Sequence, residues 1–388
     1  MKKQLLCLFA VCSQAFAAPD SYTPVTIEKG SVAPNFTLPG VDGKDHSLAD
    51  HTGSKATAII FTTNHCPDAF AAFPRIVGLV DQFKDQGVKF IAINSNAPEG
   101  LHLAELGFSI YDDSFADMKR LSVDEKLNLP YLYDGETQEV AKAYGAVATP
   151  HIFIFDADLK LRYDGRIDNG RRSRALTTDK NEARDALTSL LAGEEIKVTK
   201  TRPVGCSTKW KEKAAMVARR DQKWKENPVT VETIDAATIS NLVANKDLSG
   251  FRLFNVWSTS CGPCVAEFPD LAEVYRQFSM QKLEFISISL DPAGSKDKVA
   301  DFLKDHECGL YPQMKSLIEK DGRTTNNFLF EGDTEDLAKA LDAEWNGAMP
   351  HTLLVGENGK VLFRHTGVVD PVELKKIIVD EVWAQAAE

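Results

Sequence analysis

"FNVWSTSCGPCVAEFP" (254–269) runs from an apolar strand pattern, through Cys261-Gly262-Pro263-Cys264, into a helical pattern. That setting is what a CxxC redox site needs, because it sets the first thiol at a helix N-terminus. There the helix dipole and the free N–H groups favour the thiolate. A thiolate at Cys261 attacks a partner disulfide, and Cys264, one helical turn further on, resolves the mixed disulfide. Zinc is the competing use of such a pair. It takes four ligands, and neither a second CxxC nor paired histidines lie nearby.

"FTTNHCPDAF" (61–70) has the same build with a single cysteine, Cys66. Placing Cys66 on Cys261 brings Phe73-Pro74 onto Phe268-Pro269 without a gap. Further along, Pro150-His151 answers Pro350-His351, and Gly165 and Gly367 both end the next strand pattern. An ordered series of this kind reads as two copies of one fold. In the first copy, 56–63, 88–96, 151–158 and 159–167 read as strands, and 72–87, 137–145 and 182–193 as helices. In the second, 251–258, 283–291, 352–359 and 360–367 read as strands, and 267–280, 296–306, 334–345 and 371–382 as helices. Such alternation predicts α/β architecture, with a mostly parallel or mixed central sheet flanked by helices in each copy.

The length of 388 residues fits two or three domains at about 100–200 residues each. A net charge of −11 argues against a general nucleic-acid or membrane-surface binder. The N-terminus has Lys2 and Lys3, a short apolar run from Leu5 to Cys12, and an Ala15-Phe16-Ala17 cleavage signal. Residues 1–17 therefore read as a secretory signal peptide. Their apolar run is too short for a membrane span of about 18 residues or more. The expected mature chain is exported to the periplasm or cell envelope, without stable membrane insertion. It keeps Cys66, Cys206, Cys261, Cys264 and Cys308, too few for a disulfide-stapled scaffold. Cys308 reads as a small buried residue. Residues 206–228, rich in Lys and Arg, read as a basic linker in which Trp210 and Trp224 pack one face on something. No GxGxxG or P-loop is present, and no cofactor or metal is expected.

On Cys261-Gly262-Pro263-Cys264 and its flanks, residues 229–388 resemble the TlpA/ResA branch of extracytoplasmic thiol-disulfide oxidoreductases, which have the thioredoxin fold. The resemblance implies that Pro350, after Ala348-Met349, is the cis-proline facing the dithiol. It implies that Glu267, three residues after Cys264, assists proton transfer there. Asn255 stands where thioredoxin itself carries a buried Asp.

Residues 31–205 are similar to the AhpC/TSA (redoxin) superfamily, also of thioredoxin fold, and most of all to its peroxiredoxin-like "NHCP" group. "VAPNFTLPGVDGK", "NHCP", "FIAINSN", "YLYDGETQEVAKAYGAVATP", "YDGRID" and "GCSTKW" follow in that family's order. The family often carries Cys where Thr63 stands. Thr three residues before the cysteine is also the peroxiredoxin arrangement, which implies a Thr63 hydroxyl holding peroxide near a Cys66 thiolate, with sulfenic acid as the product. Ile59 stands where the peroxiredoxin motif has Pro. Thr149-Pro150 replaces the active-site Arg, for which Arg166 is a substitute candidate. Pro150 is a second expected cis-proline. Cys206 is the candidate resolving partner of Cys66; a disulfide and an unpaired structural thiol both stay open. His151 and His351 read as packing residues.

The expectation is an exported thiol-disulfide oxidoreductase acting on protein disulfides or hydroperoxide, and drawing electrons from its own C-terminal domain or from a separate thiol donor. A fused donor would act at raised effective concentration. Two other readings are a reductase for envelope clients, for example in cytochrome c maturation, with a non-catalytic N-terminal domain, and a non-enzymatic adaptor or chaperone. One fold hosts all three.

Overall fold

The computed structural model describes residues 22–246 and 250–387. The expected signal peptide lies outside the described residues. In the N-terminal half a small hairpin, β1 (Thr37–Pro39) and β2 (Asp45–Ser47), precedes β3 (Ala56–Thr62), α1 (Pro67–Phe83) and β4 (Val88–Asn94). Then follow α2 (Phe115–Asp124), β5 (Tyr131–Tyr133), α3 (Glu139–Tyr144), β6 (Ala148–Thr149), β7 (His151–Asp156), β8 (Leu161–Gly165), α4 (Glu182–Ala192) and β9 (Cys206–Ser207). The connecting helix α5 (Ala214–Lys225) leads to β10 (Glu232–Ile234), α6 (Ala236–Ala244), β11 (Phe251–Trp257), α7 (Gly262–Phe278) and β12 (Leu283–Ser289). The chain ends with α8 (Lys296–Asp305), α9 (Pro312–Ile318), β13 (Asn327–Phe330), α10 (Thr334–Leu341), β14 (His351–Val355), β15 (Val361–Thr366) and α11 (Pro371–Ala387).

The repeat read from the cysteines is a repeat of topology. The first sheet has the order β5-β4-β3-β7-β8, and the second the order β10-β13-β12-β11-β14-β15. Three strands run parallel in the first sheet and four in the second, and in each the last two pair antiparallel. Both sheets are covered on both faces, which is why their central strands read as apolar runs. On β3, Ala56, Ala58 and Ile60 pack under α1 and α4, while Ile59 and Phe61 face α3 and Tyr144. In the second copy, α7, α8 and α11 cover one face and α6 and α10 the other.

The two cysteine-bearing helices match. Both α1 and α7 are 17 residues long, begin directly after Cys66 and Cys261, and hold an internal proline, Pro74 and Pro269. An internal proline has no N–H for the carbonyl four residues back. In α1 that carbonyl, Phe70 O, instead accepts from Arg174 Nη1 at 3.0 Å.

The boundary expected at residue 206 falls inside the N-terminal fold. Cys206 pairs with Thr149 across β9 and β6, and Trp210 is buried in the N-terminal core. The chain therefore has to pass β9 before it leaves the first unit. Trp224 is buried in the C-terminal core, with its Nε1 donating to Glu307 O at 2.8 Å. The basic stretch is thus anchored at both ends.

The two units also dock directly. The loop between β4 and α2 lies against α7 and α11. Gln277 Nε2 donates to Ser109 O (3.0 Å) and Leu106 O (3.3 Å), and Trp383 Nε1 to Phe108 O (3.0 Å). The Trp383 ring packs on Phe70 and Phe108. No described helix is long and apolar enough to cross a membrane.

Candidate active site: two thiol centres

The C-terminal centre sits at the mouth of β11. The strand ends at Trp257, the chain turns through Ser258–Ser260, and Cys261 caps α7. Cys261 and Cys264 are joined as a disulfide with Cα atoms 5.3 Å apart. Cys264 is fully buried, Cys261 is half-buried, and Gly262 and Pro263 between them are exposed. An approaching partner therefore meets Cys261. The Met349–Pro350 bond is cis, and the pairing of Val256 with His351 sets Pro350 beside Trp257, at the same end of the sheet.

Glu267, three residues after Cys264 on α7, is 1% exposed. Asn255 Nδ2 donates to its Oε1 (3.0 Å) and Val369 N to its Oε2 (2.9 Å). Burial outweighs these bonds and raises its carboxyl above the usual range, which suits a group that holds a proton.

The N-terminal centre has the same frame and different chemistry. Cys66 precedes α1, and Thr149–Pro150 is cis. The Cys66 sulfur lies 3.2 Å from Thr149 O and accepts the Cys206 backbone N–H at 3.2 Å. The Cys206 thiol also hydrogen-bonds it. Cys66 is wholly buried, whereas Cys206 is half-buried. Burial alone would push the Cys66 thiol up. The Cys206 thiol, the His65 charge, and the Cys206 and Ala69 backbone N–H groups outweigh it and bring it down to about 6. The bond to Cys66, burial, and the Cys66 charge push Cys206 the other way. The two thiols are thus poised with one proton between them.

Below the pair, Asp113 collects hydrogen bonds. Its Oδ1 accepts from Thr63 Oγ1 (2.7 Å), Asn64 N (2.8 Å) and Asn94 Nδ2 (3.3 Å). Its Oδ2 accepts from Asn96 Nδ2 (2.7 Å) and lies 2.6 Å from His65 Nδ1. Burial would raise this carboxyl, but the His65 charge and the hydrogen bonds from His65, Asn96 and Thr63 hold it well below the usual range. Burial would likewise lower His65. The adjacent carboxylate prevails and raises it.

The structure brings Cys66, Cys206 and Pro150 together in one place, and Cys261, Cys264, Glu267 and Pro350 in another. Thr63 turns its hydroxyl to the Asp113–His65 pair. Its only proton is committed to Asp113, and its oxygen lies 2.9 Å from His65 Nδ1. Arg166 is paired with Glu182 and does not serve Cys66. His151 and His351 are buried, and that burial lowers both imidazoles below their usual range. His151 has Asp164 3.7 Å away; His351 bonds Thr366 (2.9 Å) and stacks on Trp345. Cys308 is buried and its thiol is pushed up by burial.

The two centres are not brought together. Ser109 touches both Asn64 and Gln277, so the Cys66 centre lies near the C-terminal end of α7, while Cys261 is at its N-terminal end. A helix of 17 residues is about 25 Å long. Asp113 and Asn96 escaped sequence reading. Asp113 belongs to none of the quoted segments, and Asn96 closes "FIAINSN" with nothing to mark it as a site residue; only the fold carries them to the Cys66 centre.

A cavity of about 310 Å³ opens beside the N-terminal centre, bounded by Asp68, Pro150, Val204 and Arg171 among others. A larger one, about 530 Å³, lies between β1 and α3 and touches no cysteine, so we give it no part in the chemistry. Among the described residues no cluster of three or more His, Cys, Asp or Glu could hold a metal ion.

Comparison with known proteins divides the chain in the same way. The AhpC/TSA family model matches residues 29–164, and the Redoxin model matches residues 225–378. The thiol-disulfide oxidoreductase ResA of Geobacillus thermodenitrificans is 26% identical over 158 residues, 41% of this chain and 80% of the relative. ResA of Bacillus subtilis is 31% identical over 124 residues, 32% of this chain and 57% of the relative. Peroxiredoxin Bcp of Escherichia coli is 25% identical over 141 residues, 35% of this chain and 84% of the relative. The crystal structure of an uncharacterized conserved protein from Geobacillus kaustophilus is 39% identical, with 47% of this chain and 92% of that one covered and a TM-score of 0.42. The chain is a tandem thioredoxin-fold protein of the redoxin kind, an AhpC/TSA-family domain followed by a Redoxin-family domain.

Proposed function

We propose that the protein is an exported thiol-disulfide oxidoreductase of the cell envelope. The Cys261 thiolate attacks a client disulfide, the client's other sulfur leaves, and Cys264 displaces the reduced client as the Cys261–Cys264 disulfide forms. Run backwards, the same steps oxidise a client dithiol. The observation that carries this reading is the unequal burial of the pair, Cys261 reachable and Cys264 enclosed, at the N-terminus of α7. The likeness to ResA supports it. The test is trapping: Cys264→Ser should accumulate a mixed disulfide between Cys261 and a client protein from the same compartment. Absence of any such adduct, with reduced Cys261 intact, would sink the reading.

The N-terminal domain adds a second thiol pair, Cys66 with Cys206. A specific observation favours hydroperoxide as an oxidant for it: a lowered thiol lies directly against a second thiol. The Cys66 thiolate would take the distal oxygen of the hydroperoxide, releasing an alcohol or water and leaving sulfenic acid. Cys206 would then condense with it, forming the disulfide and water. Peroxide consumption with supplied reductant that persists in Cys66→Ser would end this part.

A further inference from the structure

Asp113 belongs to neither cysteine motif and reaches the Cys66 centre from the loop that precedes α2. It is 2% exposed, and an ionised carboxylate so placed must be compensated. Asn64, Asn94, Asn96 and Thr63 supply neutral donors enough for a structural role. His65 makes the difference. Its ring is buried, its Nδ1 is 2.6 Å from the carboxylate, and its Nε2 has no hydrogen-bond partner among the described residues. A buried imidazole with neutral surroundings loses its proton; one against a carboxylate keeps it. That charge sits on the residue next to Cys66. Asn96 Oδ1 also accepts from Lys209 N at 2.8 Å, so the same network braces the segment that carries Cys206.

We propose that Asp113 is a positioning residue for Cys66: it fixes the His65 ring and keeps it charged, and that charge holds Cys66 as the thiolate. The proposal rests on reading Cys66 as a reactive thiol. The other charged groups facing the centre are Lys209, which works against the His65 charge and lowers the Cys206 thiol while itself tied to Glu105 at 2.9 Å, and Asp68 in the first turn of α1, which raises the Cys206 thiol. Neither touches the His65 ring nitrogens. Asp113→Asn keeps an acceptor for Thr63 and Asn64 at Oδ1; it removes the countercharge together with the Oδ2 acceptor that faces His65 Nδ1 and Asn96 Nδ2.

The experiment is a pH titration of the Cys66 thiolate by ultraviolet absorbance, in the full chain and in Asp113→Asn. The variant's midpoint should rise by about 1–3 pH units, with Cys66 oxidation near neutral pH slowed to match. Exchange at Cys261–Cys264 should be unchanged. His65→Gln should give the same rise with Asp113 intact, and it decides the matter if circular dichroism shows Asp113→Asn unfolded. An unmoved midpoint in a folded variant overturns the role of Asp113. A native protein in which Cys66 titrates as an ordinary thiol overturns instead the reading of Cys66 as reactive.

Discussion

Replacing Cys206 tests how the N-terminal centre holds its thiolate. Cys66 is wholly buried, yet its thiol falls to about 6, against about 8.5 for an ordinary cysteine. A hydrogen bond to a charged group contributes about 1.5–3 kcal/mol. Cys206→Ala removes the thiol donor and keeps the backbone N–H, so the midpoint should climb by about 1–2 units, to between about 7 and 8. Cys206→Ser restores a donor and should fall between alanine and the native protein. Thiolate absorbance, taken as the difference from Cys66→Ser, isolates the signal, because Cys261 and Cys264 are joined and burial pushes Cys308 out of range. Stability should follow. Cys66 ionises at lower pH folded than unfolded, so its contribution is complete above about pH 8.5 and lost as pH falls through about 6. Native and Cys206→Ala should therefore diverge in urea midpoint as pH rises across that window. A Cys206→Ala midpoint within about 0.3 unit of native, where a lost bond should move it by at least 1, would refute the account.

Glu284 is buried between Arg252 Nε (2.9 Å) and Arg323 Nη1 (2.7 Å), so Glu284→Gln removes the charge from a buried carboxylate shared by two guanidinium groups. A loss of about 3–5 kcal/mol is expected, and a thermal melt of the C-terminal domain shifted by less than 2 °C, well under the ~2–4 °C expected per kcal/mol, would contradict it. Trp383→Ala removes the ring between Phe70 and Phe108 and the bond to Phe108 O; amide exchange across 103–113 should quicken and the radius of gyration grow, whereas unchanged scattering would show that docking does not depend on it. Glu267 keeps its proton to higher pH folded than unfolded, so it costs stability progressively as pH rises from about 4.3 through its raised value. Glu267→Gln should flatten that limb and slow the reoxidation of the Cys261–Cys264 dithiol, and a dithiol rate profile identical to native would remove Glu267 from proton transfer.

Much of the fold was legible because the repeat carries punctuation. Cysteine before a helix, a proline at its middle, a later Pro-His and a closing glycine mark the same joints twice. What escaped was short or non-local. β5 (Tyr131–Tyr133) and β13 (Asn327–Phe330) form because β4 and β12 offer them parallel partners, and three or four residues show no periodicity of their own. β9 has two residues, so nothing local marked Cys206 as part of the first unit. Cys206 reads as a candidate partner of Cys66, but what brings it there is its pairing with Thr149, beside the cis-proline. In Tyr111-Asp112-Asp113-Ser114 no pattern separates the two acids. Asp112 is exposed while Asp113 is 2% exposed, a difference made by the helix start that Asn64 and Thr63 bring to it.

The arrangement of the two centres bears on how electrons would move. A fused donor and acceptor gain from proximity only if geometry allows both to engage. Here the C-terminal unit docks through Gln277 and Trp383, at the end of α7 and α11 remote from Cys261. Disulfide exchange needs sulfurs within bonding distance, and the ~25 Å length of α7 stands between them. Passage from Cys261 to Cys66 within one chain would require the docked surface to open. That surface includes Ser109, whose hydroxyl donates to Asn64 O, one residue from His65. Undocking would thus loosen the loop that presents Asp113 to His65, just as the dithiol arrived. The docked form instead keeps Cys66 acidic while leaving Cys261 free for a different partner. Two centres serving two partners fits this geometry better than one internal relay. It predicts that Cys261→Ser, which kills exchange at the C-terminal centre, leaves the reduction of a Cys66–Cys206 disulfide by an external dithiol at its native rate.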